Sequence, residues 1–432
     1  MSFRGKLSIL MVSATIAMYA VVGGMLSPWT RAQQPINDSG AQIRIFESVL
    51  QHIENDYVDA PNLEKVRFGA LRGLVGGLDP YSSYLTPQQV ADFNANKASK
   101  KVGIGAEFSQ VSLYLYVVSV VKGSEADKAG LKAGDVIEYI ENKATRDISL
   151  YDARQMIYGD PGTAVNLRVL RAGAKPLTLK VTRGEYKVPQ PESRVDAGKT
   201  GVIKVFGLET GQANLIKAQV QNLQKQGVQK IVLDLRGVAT GTIDEAVSAA
   251  NLFIGSGEVA KVVGKENKVV RTFNADPAKV IFDGKLAVLI DLGTAGPGEV
   301  VASAILEKKR GEVVGERSFG AGTEQQLFAL RGGDGLLLTT AKWASPSGVP
   351  FLGDDRATMG VKPSVEVKRP DTPEPVEVED LIDQQEEQNQ NPQPTPTPAA
   401  QEVKKQVEDV QLKKAIELLQ DKSQAAKAGA QE

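Results

Sequence analysis

The chain has 432 residues, enough for about two or three domains with cores of their own. Its 51 basic and 52 acidic residues nearly cancel, so no excess of positive charge is available to bind nucleic acid. It contains no cysteine and one histidine, His52. That composition excludes disulfides, thiol catalysis and Cys-based zinc sites, and leaves little for a Ser-His-Asp triad or a multi-histidine metal site. We therefore expect no metal and no cofactor.

The first residues indicate export. Arg4 and Lys6 precede an uncharged stretch, residues 7–26, that is long enough to cross a bilayer as a helix. An uncleaved anchor with a cytoplasmic N-terminus is the first interpretation. A cleaved signal segment is the alternative, although residues 30–32 (Thr-Arg-Ala) match a cleavage site poorly. Residues 1–34 are thus predicted to be a membrane anchor or signal segment, and the rest of the chain to be exported.

Residues 35–100 are predicted to be a helical cap region. Apolar residues at helical spacing make one apolar stripe along residues 41–58. A second helix is predicted over residues 63–76, and a third opens at Pro87. His52 lies in the first of these helices and is interpreted as a partly exposed helix residue.

Residues 101–188 alternate short β-like runs with one helix at 149–158, a pattern typical of a small peptide-binding β domain. Binding a peptide carboxylate needs several backbone N–H groups in a tight loop, and glycines permit that close approach. The peptide then adds as an edge strand. A simple turn is the alternative reading of the glycines. The candidate peptide-binding residues are those of the glycine loop and two from the helix: Gly103, Ile104, Gly105, Ala106, Ala153 and Ile157.

From about residue 200 onward, continuous apolar strands alternate with helices, which predicts a largely parallel sheet covered on both faces. The fold class is therefore α/β plus β, in which an anchor, a helical cap and a small β domain precede this core, residues 189–370. Ligands of such sheets bind at loops that leave the carboxyl ends of strands. Gly237–Gly241 and Gly293–Gly298 are loops of that kind.

The last part of the chain changes composition. Residues 371–406 are rich in Pro, Gln and Glu and are predicted to be a linker. Residues 407–432 then carry Leu412, Ile416 and Leu419 on one face of a short amphipathic helix. We interpret this helix as a docking or dimerisation element, with a solvated tail of residual helicity as the alternative.

Several stretches resemble the carboxy-terminal processing proteases, also called tail-specific proteases, a family of exported serine peptidases with a PDZ domain. The resemblance makes residues 101–188 a PDZ domain and residues 189–370 a tail-specific-protease-like core, and it extends to the final helix, QLKKAIELLQ. The stretches that carry it are LDPYSSYLTP (78–87), VGIGAEFS (102–109), VVSVVKGSEADKAGLKAGDVIEYI (117–140), IVLDLRG (231–237), TIDEAV (242–247), VVGERSFGAGTEQ (313–325) and TTAKWASPSG (339–348).

The chemistry of this family is a Ser–Lys dyad, in which a lysine buried enough to lose its proton activates the serine. Aligned with the family's nucleophile turn, GTAGPGE places Gly296 at the serine. Aligned with the segment around the base, FGAGT places Ala321 at the lysine, and the spacing between the two positions is intact. Gln325 keeps the family's auxiliary glutamine. Neither Gly296 nor Ala321 has a side chain able to attack or to accept a proton, so no functional catalytic residue is expected.

Three further places depart from the family pattern. The family's Asn-Pro-Gly-Gly loop is here Val-Ala-Thr-Gly, so Thr240 and Gly241 mark a former oxyanion region. Pro297 belongs to the same region, because proline fixes φ and removes a backbone N–H beside the former serine. Tyr158 stands where the family often has arginine, at the end of the PDZ helix.

Other routes to hydrolysis lack the necessary groups. Thr294, Ser303 and Ser318 have hydroxyls but no identifiable base, since the nearby lysines, 308 and 309, are predicted to lie at the solvated end of a helix. A pair of carboxylates, Asp234 and Glu299, is disfavoured. Asp234 is predicted to fix a loop and Glu299 to cap its helix N-terminus.

The predicted function is that of an exported PDZ-containing pseudoprotease that binds protein C-termini or unfolded peptides and regulates or scaffolds envelope proteolysis. Its expected location is the periplasmic side of the inner membrane, and an active paralogous protease is a candidate partner. The resemblance also implies a homodimer formed through the N-terminal and C-terminal helices. Two alternatives remain: an active serine-type C-terminal processing endopeptidase with an atypical site, and a structural envelope assembly protein.

Overall fold

The computed structural model describes Met18 and residues 39–96, 101–369 and 408–420. The predicted anchor lies outside these residues except for Met18, and the predicted linker lies wholly outside them. Within the described ranges, no helix is both long and apolar enough to cross a membrane.

The chain divides into two compact units, residues 1–70 and 71–432. The predicted helices of the cap region are present, and the third begins at Pro87 as expected. In the first unit His52 is exposed, and its Nδ1 lies 2.6 Å from Oδ2 of Asp56 one turn further along the same helix. The elements up to residue 96 are α1 (Ser39–Asp56), α2 (Leu63–Gly76), β1 (Ser83–Leu85) and α3 (Pro87–Asn96).

The PDZ-like domain is one antiparallel sheet with two helices. Its strands follow the order β2-β3-β4-β6-β7, with β5 paired to β4, so β2 is an edge strand. Ser149 begins the longer helix with a capping box completed by Asp152. The elements are β2 (Ala106–Val111), β3 (Tyr114–Val120), α4 (Glu125–Lys128), β4 (Val136–Ile140), β5 (Lys143–Ala144), α5 (Leu150–Ile157), β6 (Ala164–Leu170) and β7 (Leu177–Thr182).

The remaining elements form the core that follows the PDZ-like domain. They are β8 (Glu192–Asp196), β9 (Thr200–Lys204), α6 (Gln212–Lys225), β10 (Lys230–Asp234), α7 (Ile243–Ala250), β11 (Glu258–Val263), β12 (Val269–Asn274), β13 (Lys285–Ile290), α8 (Pro297–Glu307), β14 (Glu312–Gly315), β15 (Thr323–Ala329), β16 (Gly335–Ala344), β17 (Val365–Glu366) and α9 (Val410–Leu419).

The central sheet has the order β17-β14-β13-β10-β9-β8. Every pair is parallel except β8 with β9, so the predicted mixed, largely parallel sheet is confirmed. One face packs against α6, α7 and α8 in the main hydrophobic core. The other face is covered by α9, whose Leu412, Ile416 and Leu419 contact strand residues such as Val202 and Val232. The final helix is therefore docked on the sheet of its own chain.

A second sheet was not anticipated from the sequence. It has the order β1-β16-β11-β12, and β15 also pairs with β16. Strand β1 comes from the cap region and pairs antiparallel with β16, with Ser83 opposite Leu337. Asp79 fixes this join, because its Oδ1 accepts hydrogen bonds from the Tyr81 amide at 2.7 Å and from Thr339 Oγ1 at 3.0 Å.

Candidate functional site

The two loops predicted at the carboxyl ends of parallel strands meet. The Ala295 amide, beyond β13, donates to the Val238 carbonyl, beyond β10, at 2.9 Å. The Gly237 amide donates to Oδ1 of Asp291, also at 2.9 Å. Adjacent parallel strands deliver their carboxyl ends to one sheet edge, so these loops form a single site there.

Gly296 occupies a sharp turn between β13 and α8. It is buried and has φ 46° and ψ −103°, a conformation that L side chains rarely adopt. A Cβ added at this position would lie 3.5 Å from Cζ3 of Trp343, an ordinary van der Waals distance. The turn thus has the strained strand-to-helix form on which hydrolases expose a nucleophile. This chain has no side chain there.

Glu299 organises the turn from within. It has no exposed surface, and it accepts hydrogen bonds on both carboxylate oxygens. Oε1 accepts from Ser318 Oγ at 2.5 Å and from the Gly320 amide at 2.7 Å. Oε2 accepts from the amides of Gly296 at 2.7 Å and Ala321 at 2.9 Å. Burial raises the pKa of Glu299 to about 7, although these hydrogen bonds oppose the shift.

Ala321 lies beside this carboxylate, with a glycine on either side. Its side chain packs in a small apolar cluster with Val118, Ala295 and Phe319. A methyl group in that cluster accepts no proton, so the position aligned with the family lysine supplies no base.

The three hydroxyls considered from the sequence, those of Thr294, Ser303 and Ser318, are engaged in hydrogen bonds. Thr294 is fully buried; its Oγ1 accepts from the Asp291 amide at 3.0 Å and lies 3.0 Å from the Leu235 carbonyl, to which it donates. Ser303 Oγ donates to the Val300 carbonyl of its own helix at 3.2 Å. Ser318, besides donating to Glu299, accepts from the Val361 amide at 2.7 Å. Lys308 and Lys309 are exposed at the end of α8, as predicted.

Asp234 does not pair with Glu299. Its Oδ2 accepts from Arg236 Nη2 at 2.7 Å, and its Oδ1 from Lys204 Nζ at 3.2 Å. Burial alone would raise the pKa of Asp234, but the two cations outweigh burial and lower it to about 2. Arg236 also binds Asp409 at the start of α9, with Nη2 2.8 Å from Oδ2. Asp234 therefore fixes the loop that follows β10, as predicted, and links it to the final helix.

Thr240, Gly241 and Pro297, which the sequence predicts to mark a former oxyanion region, have a defined conformation. Gly241 has φ 132°, and a Cβ there would lie 2.1 Å from the Leu208 carbonyl oxygen, so only glycine fits. The Thr240 carbonyl accepts from the Leu208 amide at 2.8 Å. Pro297 is the first residue of α8, a position that suits proline because that helix end has no intrahelical partner for an N–H. The residue after Gly296 therefore offers no donor to an oxyanion.

Gln325 lies away from this carboxylate cluster, exposed on β15. Its Nε2 donates to Thr323 Oγ1 at 2.6 Å and lies 3.4 Å from Thr339 Oγ1. Thr339 in turn belongs to the join between β1 and β16. Gln325 is thus linked through Thr339 to the segment that leads into β1.

Sequence reasoning missed the aromatic side chains around the turn. Trp343 faces Gly296, and its indole Nε1 donates to Oε1 of Glu324 at 3.3 Å. Tyr116, on β3 of the PDZ-like domain, stacks on Phe319 with ring centroids 5.7 Å apart. The available signal was the run LYLYVVSVV, whose apolar residues occupy both faces of a strand and indicate burial on both sides.

The glycine loop of the PDZ-like domain has the form expected of a carboxylate site. Gly105 has φ 83°, and a Cβ there would lie 2.2 Å from the Ser124 Cβ, so a glycine is required. The carbonyls of Ile104 and Gly105 accept from Ala126 and Val121, both at 2.9 Å. The N–H groups of Gly103, Ile104 and Gly105 have no acceptor among the described residues. These three consecutive N–H groups are the candidate donors to a ligand carboxylate.

The two predicted helix residues lie in the core of the domain. Ala153 and Ile157 are 0% and 1% exposed, and both pack in the core of the domain with Ile104. The side chains that reach the loop and the edge strand are their neighbours. Arg154 Nη2 lies 3.1 Å from the Phe108 carbonyl of β2, and a Cβ added at Gly103 would lie 3.4 Å from the ring of Tyr158.

Comparison with known proteins agrees with this architecture. Residues 199–367 match the model of peptidase family S41, and residues 116–171 match that of a PDZ domain. The chain is 32% identical over 359 residues to a probable CtpA-like serine protease of Staphylococcus aureus, covering 82% of this chain and 70% of that protein. It is 29% identical over 334 residues to a carboxy-terminal-processing protease of Bartonella bacilliformis, covering 76% of each.

A solved structure is also similar. The photosystem II D1 C-terminal processing protease superposes with a TM-score of 0.62 at 26% identity, covering 75% of this chain and 86% of that chain. The similarity therefore extends over the PDZ domain and the core together.

Proposed function

Because the chain belongs to the family of carboxy-terminal processing proteases, we propose that it is a pseudoprotease of that family, which binds peptides without cleaving them. One observation carries the proposal: Gly296 and Ala321, the residues aligned with the two dyad positions, are joined through Glu299, and neither has a side chain that can attack or accept a proton. In a serine hydrolase, loss of the nucleophile alone lowers turnover by a factor on the order of 10⁶.

The binding half of the proposal is supported by the PDZ domain. The free N–H groups of Gly103, Ile104 and Gly105 suit a carboxylate, and the edge strand β2 suits an extended peptide. The ligand class is therefore the free C-terminus of a protein or an unfolded peptide.

We propose further that the protein acts in the cell envelope, anchored by residues 7–26 on the periplasmic side of the inner membrane or released there after cleavage. A protein that holds C-termini without cleaving them withdraws substrates from an active protease or presents them to it. An active paralogous protease is accordingly the proposed partner.

The test uses the purified full-length chain and two matched probes, a fluorescein-labelled alanine-rich decapeptide with a free carboxylate and the same peptide amidated. We expect saturable binding of the first and at least tenfold weaker binding of the second, by fluorescence anisotropy. Incubation with a disordered protein should leave that protein intact by mass spectrometry. Equal binding of both peptides would contradict the binding half.

The active-peptidase alternative makes the opposite prediction. It takes support from the similar proteins of Staphylococcus aureus and Bartonella bacilliformis, which are named as proteases. Cleavage of the disordered protein that Thr294→Ala abolishes would establish it. The buried, doubly bonded hydroxyl of Thr294 argues against that outcome.

The structural-assembly alternative depends on the final helix being available to other molecules. The apolar face of α9 is instead buried against its own sheet, with Leu412, Ile416 and Leu419 all packed. This observation favours the peptide-binding proposal over assembly through α9.

A further inference from the structure

The edge strand of the PDZ domain is bridged by side chains in the peptide-free protein. Arg154, on α5, donates from Nη2 to the Phe108 carbonyl of β2 at 3.1 Å. Gln110, also on β2, donates from Nε2 to the Ile148 carbonyl just before α5, at 2.8 Å. Two hydrogen bonds thus cross the space between β2 and the helix beside it.

These bridges bear directly on peptide binding. A peptide that adds to an edge strand pairs its N–H and C=O groups with those of alternate strand residues. The Phe108 carbonyl lies two residues beyond Ala106, the last residue of the glycine loop, so a strand continuing from a bound carboxylate reaches it. The guanidinium of Arg154 has to leave this carbonyl before the peptide can pair there.

A second acceptor for Arg154 lies close by. Its Nη2 is 3.9 Å from Oε2 of Glu107, the residue before Phe108 on the same strand. Both side chains are partly exposed, so the guanidinium has room to turn. Exchanging a neutral carbonyl for a carboxylate gives a charge-assisted hydrogen bond, which offsets the one that is lost.

The titratable groups near Arg154 and Glu107 are consistent with a guanidinium that moves from the Phe108 carbonyl to Glu107. Burial raises the pKa of Glu107, Arg154 opposes the shift and Glu209 reinforces it. Tyr81 and Tyr158 also feel the charge of Arg154, and both remain neutral phenols because burial raises their pKa. Because Arg154 lowers the pKa of Glu107, a closer guanidinium favours the ionised carboxylate.

We propose that Arg154 is a gate on the peptide groove. It closes the groove by bonding the Phe108 carbonyl, and it opens the groove by turning onto Glu107 when a peptide strand takes that carbonyl. This proposal rests on the proposed function, since it concerns the same peptide site.

The test measures affinity for the free-carboxylate decapeptide in the full-length chain. Arg154→Ala removes the competitor for the carbonyl, and we expect binding to tighten about tenfold. Glu107→Gln removes the charged alternative acceptor, and we expect binding to weaken about fivefold. In the double variant the Glu107→Gln effect should vanish, because no guanidinium remains to be received.

Arg168→Ala is the matched control. Arg168 lies on β6 of the same domain and pairs with Glu138 at 3.0 Å, and its removal should leave affinity unchanged. Thermal unfolding shows whether each variant is folded. If Arg154→Ala fails to fold, the gate is tested by whether Glu107→Gln binds the peptide more weakly than the control does. Unchanged or weaker binding by a folded Arg154→Ala, or no weakening by Glu107→Gln, would overturn the gate.

The gate and the proposed function fail in different ways. If the wild type binds the peptide through its carboxylate and Arg154→Ala binds equally well, the gate alone is wrong. If neither protein binds with any dependence on the carboxylate, both proposals are wrong.

Discussion

The backbone amides of Gly296 and Ala321 donate to one and the same atom, Oε2 of Glu299, at 2.7 and 2.9 Å. The sequence predicts these residues to stand at the nucleophile and base positions of the family, and a buried carboxylate joins them without help from either side chain. The geometry of the turn is thus maintained by main-chain hydrogen bonds.

The first prediction concerns the pH dependence of stability. The pKa of Glu299 is about 7 in the folded protein, against an ordinary value of 4.5, so the folded state holds this proton more tightly than the unfolded state. The resulting stabilisation is fully present below pH 4.5 and is lost as the pH rises to 7. The free energy of unfolding should fall by on the order of 3 kcal/mol over that interval.

Urea unfolding at pH 5 and pH 8 measures this change. Glu299→Gln removes the titrating group and should flatten the profile. Glu307→Gln is the control, since Glu307 is an exposed residue of the same helix that accepts from the Ser347 amide. Parallel profiles for the wild type and Glu299→Gln would show that Glu299 is not the group that titrates.

A second pH effect has the opposite sign. The pKa of Asp234 is lowered to about 2 from an ordinary 3.8, so its stabilisation is present above pH 4 and is lost as the pH falls toward 2. The loss should be about 2 kcal/mol, and Asp234→Asn should remove it. Acid titration followed by circular dichroism measures it, with exposed Asp244→Asn as the control. If Asp234→Asn loses as much stability as the wild type when the pH falls from 4 toward 2, Asp234 is not the group responsible.

Restoring a side chain at Gly296 should strain the backbone. At φ 46° and ψ −103°, Gly296→Ser should lower the free energy of unfolding by about 1–3 kcal/mol. Gly123→Ser is the matched control, because Gly123 has φ 82° and nothing within 4 Å of an added Cβ. If urea unfolding shows similar losses of the free energy of unfolding in Gly296→Ser and Gly123→Ser, the cost comes from backbone strain. No loss at Gly296 would contradict the expectation of strain.

Rebuilding the dyad alone should not restore proteolysis. Gly296→Ser with Ala321→Lys supplies a nucleophile and a base, but Pro297 still lacks the N–H that such turns direct at an oxyanion. Adding Pro297→Ala should raise cleavage of a disordered protein by about 10²–10³-fold over the double variant. The control carries Gly296→Ala in place of serine and should be inactive. Equal rates for the double and triple variants would show that this donor is not what limits the site.

The sequence predicts the parts of this site that depend on local pattern. Strand-to-loop order alone places Gly237–Gly241 beside Gly293–Gly298, because parallel strands share a carboxyl edge. The resemblance to the family predicts Gly296 and Ala321 as the nucleophile and base positions. Neither argument reveals that Glu299 joins Gly296 to Ala321. The groups that donate to Glu299 lie on both sides of α8 in the chain, Gly296 before it and Ser318, Gly320 and Ala321 after it.

Contacts between distant segments are the part that pattern does not specify. The pairing of β1 with β16 joins the cap to the core, and nothing in SYL or in the sequence of β16 names the other as its partner. The contact of Arg154 with the Phe108 carbonyl depends on the separation of α5 from β2, which tertiary packing sets. Helix periodicity places Ala153 and Ile157 on one face of α5 but does not distinguish a groove from a core.

The position of α9 has a consequence for how the chain reaches its native state. Leu412 and Ile416 cover Val202 and Val232, residues roughly 200 positions earlier, so this contact is among the most non-local in the molecule. One face of the central sheet stays bare until residues 410–419 have been synthesised and have returned to it. Closing so long a loop is slow, and the bare face is prone to aggregation in the meantime. Final consolidation of the core is therefore a late event in folding, decided by the arrival of the last helix.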